Sequence, residues 1–545
     1  MIPLGGLGEI GMNCLALEHA GRRVVIDCGL TFDDRGLGID VIHPDLSFLR
    51  DAPERLEAIV VTHGHEDHVG AVPYLLEACP GTPVYAPPYA LGVLRERLSQ
   101  HPAASTKSDL HAIRPKDRIA LGPFEIEPYR VTHSMPDCTG LIVRTEQGVL
   151  VHSGDFKIED APTDGEGWDW DRLEALREEG VRVLLSDSTN AMVEGSTGPE
   201  HEVADRLEEI VAAAPQRVVV TLFASNVHRL RALAEIAKKT GRKLVLLGRS
   251  LRMHAKIGQA EGYLPGLEAV EIAPEMARKV PRHQLLVLAT GTQGEPPAAL
   301  ARLARGNHPD LDLSAGDVVV HSARIIPGCE TRVYPVFDEL ARAGVEVLWK
   351  RLDPSVHVSG HAHRGEQRRL IEALRPASFI PLHGTHMHMT KHAELARECG
   401  VEDVLVIGNG DVVEVNGGPL AVQGRVPTGR VYRERGKELD PRVLRDRELL
   451  ASLGFAVISA WVDDAGRPVA PLDLLTRGVL HEDENPDLLD DACDSVHRAL
   501  VRARYTAERP DLDDVEAVAK RALKHFFSKR LLKKPLCYAM VSRRP

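Results

Sequence analysis

The sequence predicts an α/β protein: a β-rich domain split in two, an inserted domain of alternating strands and helices, and a small α/β unit at the end. Three observations predict it. Short β-like runs punctuated by glycine turns fill the first part, where THGHEDH stands at 62–68. The same histidine-rich style returns beyond 355 in VHVSGHAHR and FIPLHGTHMH. Between them, from about 195, apolar runs alternate with helical stretches, the pattern of a parallel sheet with crossover helices. A chain of 545 residues also exceeds what one core sustains.

Taken in order, residues 13–18 and 22–27 read as a hairpin joined at Ala20-Gly21. Residues 58–62 (AIVVT) form a short buried strand running straight into the histidine loop. A second hairpin, 141–145 with 149–152, turns at Gln147-Gly148 and ends in SGDFK. Residues 181–187 (VRVLLSD) make a further buried strand. Strands at 217–223, 243–248, 283–290 and 317–322 follow, with a helix over 226–239 after the first. Each ends in a Ser, Thr or Gly-rich loop, where such sheets place ligands. The expected division is 1–192 and 355–430 for the split domain, 193–354 for the insertion, a linker over 431–450, and a last domain over 451–545.

Hydrophobic residues at 43% and charged residues at 27% are ordinary for a globular protein. The net charge of −12 excludes a surface coated in basic patches but leaves room for a local basic groove. Eight scattered cysteines with no CxxC pair read as buried small hydrophobes in a reducing compartment. No signal peptide and no membrane-length apolar run are visible, so the expected location is cytoplasmic. The last residues are basic, with Lys524, Lys529, Arg530, Lys533, Lys534, Arg543 and Arg544 after the final acid, Glu516. That run reads as a solvated face, or as a subunit or RNA contact.

Gly6, Gly8 and Gly11 match the dinucleotide fingerprint, with Asp27 at the required distance. A hairpin follows, however, and offers no helix N-terminus to a pyrophosphate. A tight glycine loop is the better account. THGHEDH is a different matter. His63 and His65 leave the strand on one side, and Asp67 with His68 comes a turn later. Four donors in six positions suit two metals, zinc or manganese, better than a solvated polar loop. Further donors stand at other strand ends: His133, Asp155 and His383, with Asp155 the natural bridging carboxylate.

HGHEDH, the HS at 133–134, SGDFK and PLHGT resemble the metallo-β-lactamase superfamily, whose core is an αββα sandwich. The insertion resembles the β-CASP subgroup, whose members cut nucleic acid. LGGLGEIGMN, LLSDSTN, FASNVHR, VSGHAHRGE and the last domain are similar to the ribonuclease J family, and the likeness spans nearly the whole chain. The resemblance implies one metal on His63, His65 and His133, another on Asp67, His68 and His383, and Asp155 between them. It implies catalytic roles for Asp67, Asp155, Asp187 and His361. Two divalent cations per subunit, zinc and/or manganese, would serve hydrolysis of single-stranded RNA, 5′→3′ from 5′-monophosphate ends and to some extent internally. A homodimer through the last domain, and membership of an RNA-degradation complex, are further implications. The chain departs from the family at Thr385, where an acid is common, and at Cys329, where Asn is common. It also begins directly at the first motif, so an upstream segment is missing or naturally short.

A 5′ phosphate needs donors, and two loops offer them: Ser225, Asn226, His228 and Arg229, and Ser359, Gly360, His361, His363 and Arg364, with Phe223 to stack on a base. Capping and surface solvation compete for each. His361 alternatively reads as a structural histidine in a glycine-flanked turn, and Asp187 as a helix cap. His386, His388 and His392 read as the exposed start of a helix rather than a further metal site. The rival readings are a purely endonucleolytic RNA-processing enzyme, a thioester or lactam hydrolase on the same metal fold, and an inactive RNA-binding scaffold. The insertion favours a polymer substrate, and the seven ligands disfavour a dead site.

Overall fold

The computed structural model describes residues 1–33, 35–106, 108–481, 484–507, 509–531 and 534–544. The chain forms two compact units, one of Met1–Thr31 with His43–Arg430 and one of Phe32–Ile42 with Val431–Pro545.

In the first unit, among the described residues, two mixed sheets share one core. The six-stranded sheet runs Ile2–Gly5, Cys14–His19, Arg22–Ile26, Leu56–Val60, Pro83–Ala86, Asp109–Ala112. The seven-stranded sheet runs Asp403–Val404, Ser378–Leu382, Val181–Asp187, Gly148–His152, Thr139–Thr145, Phe124–Arg130, Ile119–Leu121. Val24, Ile26, Ala58 and Val60 of one pack with Ile126, Leu141, Val183, Leu185 and Ile380 of the other. Val181–Asp187 and Ser378–Leu382 pair in parallel although nearly two hundred positions apart, so the chain rejoins the sheet it left.

Between these strands lies an all-parallel sheet in the order Glu271–Ile272, Lys243–Leu247, Leu285–Ala289, Val218–Thr221, Val318–His321, Glu346–Trp349. Its central strands are apolar runs, VVVT and LLVLA, because crossover helices such as Val227–Lys239 cover both faces. The glycine-rich decoy is a loop between two strands: Gly6, Gly8 and Gly11 all have positive φ, and no helix follows.

The second unit packs Pro486–Arg502 and Leu512–Arg530 against Phe455–Val462, Asp473–Arg477 and Leu536–Arg543. The stretch expected as a linker is instead structured. Its residues form the strands Arg430–Glu434 and Lys437–Glu438 and then the helix Pro441–Leu453, whose start Asp440 caps at 2.8 Å from Arg442 N. The segment 32–42 joins this unit, with Asp40 N donating to Arg433 O at 2.9 Å. Of the terminal basic run, Lys533 lies outside the described residues.

Candidate metal centre

Five strands deliver the site from one end. Gly148–His152, Val181–Asp187 and Ser378–Leu382 are parallel, and Phe124–Arg130 runs the same way through Thr139–Thr145. Asp155, Asp187, His383 and His133 therefore emerge together at the carboxyl edge, and the loop after Leu56–Val60 meets them from the other sheet. His383 holds a left-handed φ of 48°, a region histidine enters more readily than most non-glycine residues.

Two overlapping histidine-rich donor groups result, His63, His65, His133 and Asp155, and Asp67, His68, Asp155 and His383. A third set, Asp155, Asp187, His361 and His383, overlaps the second. His65 Nδ1 lies 3.0 Å from His63 Nε2 and 3.1 Å from His133 Nε2. Asp155 reaches both groups, with Oδ2 3.1 Å from His68 Nε2 and 3.8 Å from His63 Nε2, and Oδ1 2.9 Å from His383 Nδ1. Such spacings approach the edge of about 3.3–3.4 Å that donors make around a tetrahedral ion at about 2.0–2.1 Å. His383 Nε2 is buried without a hydrogen bond, 3.3 Å from Asp67 Oδ2.

The surroundings fix which nitrogen is free. His133 Nδ1 donates to Gly360 O at 2.6 Å, and His68 Nδ1 to Asp27 Oδ2 at 2.8 Å. His63 Nδ1 meets Thr62 Oγ1 at 3.0 Å, and that hydroxyl donates to Asp27 at 2.8 Å. Each therefore turns Nε2 inward, the nitrogen left to ligate. Burial holds His63 and His133 well below the ordinary histidine pKa and His65 at about 4. Burial opposes charge on His68 and His383 too, but Asp155 with other nearby carboxylates outweighs it and raises both. Imidazoles interleaved with buried carboxylates are the donor set divalent zinc or manganese accepts, so the residues fit such ions.

Beside the second group, His361 Nδ1 donates to Asp187 Oδ2 at 2.8 Å and lies 3.8 Å from Asp155 Oδ2. Asp187 caps no helix. Its Oδ1 accepts from Thr189 N and Oγ1, while Oδ2 faces His361. Burial disfavours the imidazolium of His361, yet Asp187 and Asp155 raise its pKa.

Comparison with known proteins agrees with this geometry. Residues 7–186 match the metallo-beta-lactamase superfamily, 215–340 the beta-CASP domain of ribonuclease J, 351–406 the Zn-dependent metallo-hydrolase RNA specificity domain, and 442–544 the ribonuclease J C-terminal domain. The chain is 36% identical over 484 residues to ribonuclease J of Synechocystis sp., covering 88% of this chain and 75% of that one. It is 34% identical over 552 residues to ribonuclease J of Sinorhizobium meliloti, covering 99% and 97%. To ribonuclease J 1 of Streptococcus pyogenes it is 33% identical, again over 99% and 97%. The chain belongs to the ribonuclease J family. A crystal structure of a protein of unknown function from Enterococcus faecalis V583 shares the fold, with TM-score 0.51 and 16% identity over 72% of this chain and 95% of that one.

Not every residue expected to serve substrate in this ribonuclease J family member reaches the centre. Arg229 is 1% exposed and spends its guanidinium on Glu200 (2.7 and 2.9 Å), Ser322 and His357. It is a buried structural cation. Arg364 is likewise held by Glu398 at 3.1 Å and Glu194 at 3.2 Å. Asn226 caps Val227–Lys239 by accepting from Arg229 N. Phe223 is exposed, Ser225 half-buried, and His228 meets Thr163 Oγ1 at 3.3 Å in a cavity it shares with His133. His363 starts the helix Arg364–Leu374. Ser359 Oγ accepts from His361 N, and Gly360 lies against His133, where a Cβ would stand 3.0 Å from the ring.

Of the three later histidines, His392 is not exposed: it is fully buried and meets Ser188 Oγ at 3.1 Å. Thr385 caps the helix His386–Glu398 and meets His388 Nδ1 at 2.8 Å. Cys329 Sγ is buried, 3.0 Å from Arg332 Nη2. Sequence reasoning missed Asp27, whose two oxygens anchor Thr62 N, Thr62 Oγ1 and His68. The available signal was an acid ending the apolar run VVID.

Proposed function

We propose that this ribonuclease J family member hydrolyses phosphodiesters of single-stranded RNA, 5′→3′ from 5′-monophosphate ends and to some extent internally, in RNA decay and maturation. The observation that carries the reading is Asp155 placed between two histidine-rich donor groups at one sheet edge. His63, His65 and His133 would hold one ion and Asp67, His68 and His383 a second, zinc and/or manganese, with Asp155 shared. Bound there, divalent cations supply water activation and neutralise phosphoryl charge. His361, oriented by Asp187, which favours its protonated form, presents Nε2 as the acid for the departing 3′ oxygen.

Phe223, Ser225, His228, Ser359 and His363 remain the candidates for the terminal nucleotide. Asn226, Arg229 and Arg364 do not, since each is occupied elsewhere. The insertion over 193–354 between halves 1–192 and 355–430 suits a polymer. Trp461, Leu475, Tyr538 and Met540, all exposed on one sheet face of the last domain, support a homodimer formed there. Among the described residues no helix is long and apolar enough to cross a membrane. Cytoplasmic residence and membership of an RNA-degradation complex complete the reading.

The test is a single-stranded RNA with a labelled 5′-monophosphate, incubated with manganese or zinc beside an Asp155→Ala variant. Release of labelled mononucleotide by the parent alone is expected. Longer labelled fragments would mark a purely endonucleolytic enzyme, and intact RNA under either metal would mark a scaffold.

A further inference from the structure

The loop carrying His361 is held by a side chain outside the donor groups. Asn190 is 2% exposed. Its Nδ2 donates to Ser359 Oγ at 2.8 Å and to His361 O at 2.9 Å, and Ser359 Oγ also accepts from His361 N at 3.1 Å. One amide thus holds the Ser359 hydroxyl on one side of Gly360 and the His361 carbonyl on the other, and sets where the His361 ring meets Asp187.

The remaining group of Asn190 faces the insertion. Its Oδ1 accepts from Arg324 Nη1 at 2.8 Å. Arg324 follows Val318–His321, and Lys350 follows the neighbouring parallel strand Glu346–Trp349, so both cations leave the same edge of that sheet. Both are exposed, and among the described residues neither makes an ion pair with an acid. The loop bearing Arg324 is itself braced by Gln293, which donates to Arg324 O at 2.9 Å and accepts from Ile326 N at 2.8 Å. An unneutralised cation pair in a chain of net charge −12 is a place for an anion.

We propose that Asn190 is a positioning residue for His361, and that Arg324 ties this positioning to a backbone phosphate of the RNA bound on the inserted domain. The inference rests on the ribonuclease reading above and adds to it a route by which the substrate's polymer backbone sets the geometry of the acid.

The experiment uses the full chain with manganese or zinc on 5′-monophosphorylated single-stranded RNA, measuring kcat and KM separately. Asn190→Ala should lower kcat ~10–100-fold, the cost of a misplaced catalytic group, with KM within about twofold and bound metal equal to the parent. Arg324→Ala should lower kcat and also raise KM. Arg324→Lys, which keeps the charge and one donor, should recover most of KM. In the double variant kcat should fall no further than in Asn190→Ala alone, because the two act along one path. Multiplicative losses in the double variant, a KM effect without a kcat effect in Asn190→Ala, or loss of metal from that variant would each overturn the proposal. Should Asn190→Ala fail to fold, the Arg324 variants, altered at an exposed side chain, still decide it: kcat unchanged in Arg324→Ala refutes the link. A parent inactive under both metals sinks the ribonuclease reading, whereas an active parent with indifferent variants sinks only this inference.

Discussion

Replacing Asp27 with Asn tests whether the layer behind the ligands matters as much as the ligands. Asp27 accepts from Thr62 N at 2.7 Å through Oδ1, and from Thr62 Oγ1 and His68 Nδ1, both at 2.8 Å, through Oδ2. An amide of the same shape has only one acceptor oxygen. In either orientation its NH2 faces a donor: Thr62 N, or the pair Thr62 Oγ1 and His68 Nδ1. The second clash is relieved only if His68 moves its proton to Nε2, and that removes the lone pair it offers the centre. The backbone is not the cause, because φ at Asp27 is 59° and Asn tolerates that region as well as Asp. A lost hydrogen bond to a charged acceptor costs about 1.5–3 kcal/mol, roughly a 10–150-fold weakening, and outer-layer substitutions at metal sites fall in the same decade or two. Competition against a chromogenic chelator reads the metal affinity, and nuclease rate reads the consequence. Metal affinity within twofold of the parent would refute the reasoning.

Other perturbations separate further roles. Gly360→Ala should cut activity about tenfold or more with little change in stability, since its Cβ would press on the His133 ring at 3.0 Å and on Ser134 at 3.1 Å; steady-state kinetics beside a melting curve checks it. Arg229→Ala should destabilise the chain by about 3–5 kcal/mol, because Glu200 is left buried and unpaired; denaturant unfolding measures this, and a changed KM in a folded variant would return Arg229 to the substrate site. Glu127, buried between Arg172 and Arg144, has its carboxyl held below the usual range, burial opposing and the two guanidiniums winning. Its folded pKa is depressed, so its contribution is present above the unfolded pKa and is lost as pH falls through the folded one. Glu127→Gln should therefore be less stable than the parent at neutral pH, with the gap closing in acid, as paired thermal melts across pH would show.

What the sequence displayed and what it concealed follow from the range of the interactions. THGHEDH places four donors within six positions, so the chain itself guarantees their proximity and the motif can be read without a structure. His133, Asp155 and His383 were findable because each follows an apolar strand, and sheet ends gather ligands. Arg229 carries no such mark. Whether a cation faces solvent or a buried acid depends on Glu200, which is 29 positions away on another helix, and nothing near Arg229 announces it. His392 misled for a related reason: its helix starts exposed at His386 and Met387, but His392 stands on the other face, which packs onto Ser188 and Phe379. Residues 430–447 looked like a linker because their polar composition hides a strand whose partner is Val41–Pro44, far back in the chain.

The place of the insertion explains why the acid and the ligands share one edge. The chain leaves the seven-stranded sheet after Val181–Asp187 and re-enters it at Ser378–Leu382, adjacent and parallel, with Asp187 opposite Leu382. Departure is therefore at the carboxyl end of one strand, beside the point where the next delivers His383. The returning chain passes that same edge with Ser359, Gly360 and His361 before the helix Arg364–Leu374 carries it to the other end, where Ser378–Leu382 begins. Here the insertion is anchored on the strands that deliver Asp187 and His383, and its strand-end loops, Arg324 among them, reach Asn190 at the lip of the centre. Insertion point and catalytic geometry are linked, because a chain that leaves the carboxyl end of one parallel strand must come back past that edge before it enters its neighbour from the other end.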